Sequence, residues 1–333
     1  MTRAALVLAL VSTALAGACA ATHEAPDGGA GAAGSRDVAG AGGASGAGDA
    51  PPLMLEPIPD DGYTMEAHGG YELGRLIPAA QIQQTPTAAS STGCMRLRGV
   101  VRDFKGALPA YMGSFEPGGH PDFEVFQGDS PTEGLVAAAL SPDGKPVYTG
   151  KCELGDAMPS PDVCPYGAMT TSARNFEQWY RSDDAVNKTY FVYFQLDGPT
   201  LGSSTFSSVK FFPVDNAGWG NSGADYDKPS IPRNYSFTTE IHTTFKYNGG
   251  ETFTFTGDDD VWIFINGKLA VDLGGLHTLA TGTVALDDAA PSLGLAKGNV
   301  YPLDLFHAER HSYNSDFTFQ MNFAFQDCGY IIP

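Results

Sequence analysis

The stretch from Glu251 to His277, ETFTFTGDDDVWIFINGKLAVDLGGLH, constrains this chain more than any other, because its pattern is that of a strand followed by a hairpin with acid at one end. Phe253 and Phe255 alternate with Thr252, Thr254 and Thr256, the period-two signature of a strand with one face in a core and the other able to meet solvent. Gly257 breaks that strand. Val261 to Ile265 is an apolar run rich in β-branched and aromatic residues, Asn266-Gly267 is the strongest short-range signal for a two-residue turn, and Lys268 to Asp272 returns. Such a loop sets the register, with Ile265 against Lys268, Phe264 against Leu269, Trp262 against Val271 and Val261 against Asp272. Asp272 is therefore expected beside Asp258, Asp259 and Asp260. Four carboxylates at one end of a hairpin repel one another unless a cation or a shared proton intervenes, so these four are the expected metal ligands.

Strand-like runs recur between turn clusters along the rest of the chain: Leu97 to Phe104, Thr189 to Leu196, Thr205 to Phe212, Ser236 to Tyr247, Thr281 to Leu286, Val300 to His307 and Phe317 to Phe325. In the last, Phe317, Phe319, Met321, Phe323 and Phe325 share one face and Thr318, Gln320 and Asn322 the other, as in a half-buried antiparallel strand. Helix is nearly absent; the best candidate is Ser172 to Arg181, with Ser172 as its cap. The expected fold is all-β, an antiparallel β-sandwich with long loops, filling one domain over residues 93–333.

Residues 1–19 read as an export signal, with Arg3 at its positive end and an apolar stretch, Ala4 to Leu15, too short to span a membrane. Ala16-Gly17-Ala18-Cys19 resembles a bacterial lipobox, which implies lipidation of Cys19 and display on the outer membrane or cell surface, the lipid being the expected membrane contact. Residues 20–52 are mostly Gly, Ala, Ser, Asp and Pro with almost nothing to bury, the composition of a disordered tether. Residues 53–92 scatter apolar residues among prolines and glycines and read as a partly ordered lead-in. If Cys19 carries lipid, Cys94, Cys152, Cys164 and Cys328 form an even set. Of three connectivities, Cys152 with Cys164 and Cys94 with Cys328 is the expected one, closing a short loop and tying the domain's ends; no spacing is the Cys-x-x-Cys of a thiolate metal site.

A formal charge of −19 opposes nucleic-acid or anionic-membrane partners, which need clustered Lys and Arg. His307-Ala-Glu-Arg-His311 superficially resembles a zinc helix, but its Glu is misplaced for that chemistry, and loop structure, with Glu309 and Arg310 paired or capping, is expected instead. Glycoside hydrolysis needs two carboxyls facing each other across a sugar, which consecutive aspartates on one loop do not provide, so an enzyme is not the expected reading. Trp262 reads as core. Trp219 lies in a polar, glycine-rich loop, Asp215 to Asp225, and is the candidate ring to stack on a ligand.

GDDDVWIFINGKLAVDLGG resembles the signature of the fibro-slime domain of bacterial surface proteins and slime-mould secreted proteins, and the resemblance extends through VRDF, HPDFE, DGKPVY, FFPVD and YPLDLFHAERH. Those domains are in turn similar to the lectin-like, jelly-roll type sandwich of anthrax-toxin protective antigen and yeast flocculins. The resemblance implies that a consecutive Asp pair, here Asp258 and Asp259, binds calcium through a cis peptide, and that calcium helps hold a sugar. Asp260 is then an extra acid. It also implies that the loop before the last strand, Glu309 to Asp316, reaches the site, which makes Asn314 and Asp316 further candidates, with His277 a candidate from the loop after the hairpin. The combined expectation is an envelope-anchored, calcium-dependent module binding a polysaccharide or glycan. A matrix module that uses calcium only for stability is the alternative, and a glycan-acting hydrolase a weaker one.

Overall fold

Two strand patterns in the sequence become the two main sheets, one covered on both faces and one on a single face, beside a small two-stranded ribbon. The computed structural model describes residues 70–82, 94–106, 119–155, 160–198, 203–312 and 314–333, all within the unit Asp49–Pro333. The export signal, Cys19, the tether and most of the lead-in lie outside the described residues. In chain order the elements begin with β1 (Tyr71–Leu76), β2 (Arg96–Phe104), α1 (Ala173–Phe176), β3 (Asn187–Gln195) and β4 (Ser204–Ser208). There follow β5 (Gly223–Ala224), β6 (Pro232–Arg233), β7 (Phe237–Lys246), β8 (Thr252–Gly257), β9 (Asp260–Ile265) and β10 (Lys268–Leu273). The last are β11 (Ala280–Ala285), α2 (Leu286–Leu293), β12 (Val300–Glu309) and β13 (Phe317–Met321).

The smaller sheet runs β11-β8-β13-β4, and the larger β1-β3-β2-β7-β12-β9-β10, with neighbours antiparallel throughout. On the smaller sheet the threonines of the period-two pattern point outward and pair by hydroxyls, Thr254 with Thr283 at 3.0 Å and Thr256 with Thr281 at 2.9 Å. Its phenylalanines point inward. Phe206, Phe253, Phe255, Phe317 and Phe319 pack with Ile241, Val261, Ile263, Ile265 and Leu305 of the larger sheet to form the core of an antiparallel β-sandwich.

On β9 every residue is buried, which its unbroken apolar run requires. Trp262, Phe264 and Phe306 face away from the sandwich core and meet Phe123, Phe176, Trp179 and Tyr180 from the irregular segment between β2 and β3. That loop-rich segment is a third layer. Beneath it Glu240 accepts from Arg102 Nη1 and Lys145 Nζ, each at 2.6 Å, and His242 bridges Glu240 and Asp304. These charges are buried but paired, the condition under which a low-dielectric interior tolerates them.

Both disulfides form as the spacing suggests, Cys94 with Cys328 and Cys152 with Cys164. The hairpin register differs from the expectation beyond Leu269. Ala270 is an extra residue in a bulge, so Val271 faces Ile263, Asp272 faces Trp262 and Leu273 faces Val261. The tyrosine-led stretch Tyr71–Leu76, inside the segment read as a lead-in, is an edge strand on β3. His307 to Glu309 continues β12 and is strand, not loop. Ser172 caps α1 by accepting from Asn175 N at 3.2 Å, but the helix stops after one turn. The helix α2 was not legible. Asp287 and Asp288 in its first turn favour its N-terminus, and Gly294, at φ 72°, ends it. Its last carbonyls are capped by the hairpin turn, Leu293 by Asn266 Nδ2 at 2.9 Å and Ser292 by Lys268 Nζ at 2.7 Å.

Candidate ligand cavity

Strand alternation sorts the three consecutive aspartates. Ala308 is in register with Asp260, so Asp260 points to the side of Trp262 and Phe306. There its Oδ2 accepts from Arg310 Nε at 2.7 Å and its Oδ1 from Gly275 N at 2.6 Å. Arg310 is fully buried, lies 4.5 Å over the Trp179 ring, and also donates to the carbonyls of Met169 and Asp122. Glu309 is not its ion-pair partner: the pairing falls on Asp260, because Glu309, one residue earlier on the strand, points to the opposite face. Asp260 is thus committed to a buried ion pair. Asp272, shifted by the bulge, is committed too: its carboxylate accepts from Trp262 Nε1 at 3.0 Å, Gly274 N at 3.2 Å and Gly134 N at 2.7 Å. The expected four-acid cluster is therefore divided.

Asp258 and Asp259 remain together, in the wall of a cavity of about 370 Å³. Asp258 Oδ1 accepts from Asp316 N at 2.6 Å, and Asp258 carbonyl accepts from His307 Nε2 at 3.1 Å. Asp259 accepts from Arg310 N at 2.9 Å and His277 N at 3.3 Å. Both carboxylates thereby hold the 310–316 segment, and Asp259 also holds the 274–278 loop. His277, Leu276 and Thr278 form one side of the cavity and His311, Ser312 and Asn314 another. The peptide between the two aspartates is trans, the default for a non-proline bond, and not the cis form the resemblance implies.

The remaining wall, Gln127 and Gly128, was not legible in the sequence. This loop closes on the 274–278 segment through Thr132 N to Gly274 O at 2.6 Å and Thr278 Oγ1 to Asp129 O at 3.1 Å. A side chain at Gly128 would place its Cβ 1.8 Å from Leu276 O, so only glycine permits the approach. Likewise a Cβ at Gly257 would lie 2.2 Å from Asp316 O, which explains the glycine that ends β8.

Asn314 lines the cavity and is exposed. Asp316 supports Asp258 through its backbone. Both ring nitrogens of His277 meet backbone carbonyls, Thr278 O at 2.7 Å and Leu273 O at 3.0 Å, so the ring lines the cavity without offering a free nitrogen. Trp219 is not among the lining residues; its ring lies under Lys188, 4.8 Å from the ammonium.

The electrostatics of the pair are strained by negative charge. Burial, reinforced by Asp259, pushes the Asp258 carboxyl from 3.8 to about 8. Burial also raises Asp259, although Arg310 opposes it. Glu309, across the strand from Asp259, is fully buried and neither carboxylate oxygen meets a donor in good geometry. Burial, then Asp259 and Asp258, lift it well above the usual carboxylate range. Glu124 rises to about 8, mainly by burial. Among the described residues no three His, Cys, Asp or Glu side chains converge as a ready-made metal cage. A hard cation nonetheless fits the Asp258-Asp259 corner chemically, because it would neutralise acids that otherwise hold protons, and it accepts carbonyl, amide and water oxygens beside carboxylates.

Fold and site together define an antiparallel β-sandwich with an acidic, loop-built cavity at the end of its central hairpin. Residues 182–332 match the family model of the PA14 domain, a segment that holds both Asp258 and Asp259. Among the proteins the chain is similar to are psiD, psiR and psiC of Dictyostelium discoideum. It is 38% identical to psiD over 201 residues, covering 60% of this chain and 37% of that protein. The figures are 34% over 228 residues for psiR, 64% and 21% covered, and 35% over 219 residues for psiC, 63% and 39% covered. The chain thus matches between 21% and 39% of the length of these curated relatives. Among solved structures, the PA14 sugar-binding domain from an RTX adhesin is 10% identical, with 39% of this chain and 78% of that one covered at a TM-score of 0.21. The Epithelial Adhesin 6 A domain of Candida glabrata, in complex with Galb1-3GlcNAc, is 14% identical, with 61% and 89% covered at a TM-score of 0.25. At those scores the likeness carries no structural argument.

Proposed function

We propose that this domain is an extracytoplasmic glycan-binding module whose site is the cavity of Asp258 and Asp259, with calcium as its cofactor. The observation that carries the reading is the side-by-side placement of these two buried, proton-raised carboxylates in the wall of an open cavity, while the neighbouring Asp260 and Asp272 are spent on structure. Calcium, when bound there, would supply open coordination positions for vicinal hydroxyls of a sugar. Asp258 and Asp259 accept hydrogen bonds from those hydroxyls, and the Asn314 amide both donates and accepts at the rim. The PA14 match over residues 182–332 and the sequence resemblance to lectin-like domains support the same role. Two disulfides agree with an oxidising compartment, and acylation of Cys19 would place the domain on a cell envelope.

Each of the two carboxylates also ties down a neighbouring loop, which favours a second reading in which calcium serves stability alone. A glycan array that includes insoluble polysaccharides, probed with calcium and with chelator, separates the two. Calcium-dependent binding to a defined set of glycans supports the lectin reading. Calcium-dependent stability with no glycan bound in either condition replaces it with the structural one.

A further inference from the structure

The cavity of Asp258 and Asp259 is built by two parts of the chain that differ in kind. Its acidic corner and two of its walls, within residues 258–314, fall inside the segment 182–332 that matches the PA14 model. Gln127 and Gly128 fall outside that segment, in the loop-rich third layer. A wall that the matched segment does not itself supply is where the ligand choice of this chain can depart from that of other domains built on the same sandwich.

The loop that carries Gln127 is clamped at both ends. At its start Glu124 N donates to Arg310 O at 2.8 Å, and the Glu124 carboxylate accepts from Ser312 N at 3.4 Å and Ser222 Oγ at 3.2 Å, which joins the loop to the 311–314 wall. At its end Thr132 N donates to Gly274 O at 2.6 Å and Gly134 N to Asp272 Oδ2 at 2.7 Å, which joins it to the 276–278 wall. Between the clamps, Phe126 is buried in the third-layer core and Gly128 lies against Leu276 O too closely to admit a Cβ. Gln127, set between these two anchors, is exposed and lines the cavity. A side chain on a backbone fixed this way gives up little beyond its own rotamer freedom when a ligand meets it.

We propose that Gln127 is a specificity-determining contact that reads the configuration of one hydroxyl on a neutral sugar held at Asp258 and Asp259. The inference rests on the glycan reading above. A primary amide carries two N–H donors and an acceptor oxygen, and a sugar hydroxyl both donates and accepts, so one hydroxyl within reach pairs with the amide in either sense. The epimer, whose hydroxyl lies on the other side of the ring, leaves the amide without that partner, the situation in which a hydrogen-bonding site discriminates best. Asn314 offers a second amide from another wall. Among the described residues that line the cavity there is no Lys or Arg, so a neutral sugar suits it and the anionic groups of a sulfated one find no cationic side chain.

The test is calorimetric titration, in calcium, of the methyl glycosides of galactose, glucose and mannose, in which galactose and glucose differ only at C4 and glucose and mannose only at C2. The proteins are the wild type, Gln127→Met, which keeps the length of the side chain without its amide, and Gln127→Ala. The wild type is expected to favour one member of an epimer pair by about fivefold, the size of one neutral hydrogen bond. Both variants reduce that ratio below about twofold by weakening the favoured sugar alone, and both melt in chelator at the wild-type temperature. A preference that survives either variant, no preference in the wild type, or an equal loss for every sugar overturns the role of Gln127 while leaving the glycan reading intact. Binding of none of these sugars to the wild type counts against both.

Discussion

Asp260 and Asp259 are neighbours in sequence with opposite duties, and substitution is expected to separate them. Replacing Arg310 by Met leaves Asp260 buried without its cation, a loss of about 3 to 5 kcal/mol for a broken buried pair. Chemical denaturation of Arg310→Met checks it; a change under about 1 kcal/mol would mean the pair is not what holds the two strands' ends. Asp259→Asn, by contrast, keeps one acceptor oxygen where the carboxylate gave one to each of the Arg310 and His277 amides, but removes charge from a crowded site, so it is expected to cost the calcium-free protein less than Arg310→Met, about 1 kcal/mol. The pH dependence carries the same signature. Asp258 and Glu124 rise to about 8 in the fold, so between their ordinary values and about 8 the folded state binds more protons than the unfolded. Stability of the calcium-free domain is therefore expected to fall as pH rises from about 5 to about 8, the reverse of the usual carboxylate behaviour. A melting temperature that climbs over that range in chelator would refute the assignment. The sequence showed that acid gathers here but not which acid does what. Asp260 and Asp259 are distinguished only by strand alternation and by the side chain each then meets, the Arg310 guanidinium for Asp260 and the Glu309 carboxylate for Asp259, fifty residues away.

At the scale of elements, the hairpin and the phenylalanine strands were legible because their patterns are local: an Asn-Gly turn, and alternation against threonine. The bulge at Ala270 was not, since nothing in KLAVDL distinguishes an extra residue from a regular return, and it alone moves Asp272 from Val261 to Trp262. The wall at Gln127 and Gly128 comes from a loop that packs by backbone approach, which leaves one glycine as its trace. Gly128→Ala is accordingly expected to cost the domain its cavity geometry, since the added carbon collides with backbone and not with a side chain that can turn aside. Loss of calcium-induced stabilisation in Gly128→Ala, with retained overall secondary structure, checks this; unchanged stabilisation would show that the wall plays no part.

For the whole molecule, the larger sheet is covered on both sides, and its third layer is built almost without regular structure. Such a layer depends on tethers. The Cys94–Cys328 bridge closes 234 residues and the Cys152–Cys164 bridge 12. In the chain-entropy account, removing the longer costs about 5 kcal/mol and the shorter about 3. Equilibrium unfolding of the paired Cys→Ser variants tests the order; a larger loss from the short bridge would place native-state packing above chain entropy. The sandwich itself was readable from patterning, whereas the third layer was not, because its aromatic residues, Phe123, Phe126, Phe176, Trp179 and Tyr180, are spaced irregularly and meet on the sheet they cover.

The central claim is that Asp258 and Asp259 hold a cation on which ligand binding depends. The most direct measurement is the affinity of the intact domain for its best array glycan, followed from chelator to millimolar calcium, in the wild type and in Asp259→Asn. Binding in the wild type is expected to rise with calcium, saturate, and vanish in chelator, while Asp259→Asn stays folded and fails to bind at any calcium concentration tested. Glycan affinity that is the same in chelator as in calcium, or that survives in Asp259→Asn, would contradict it.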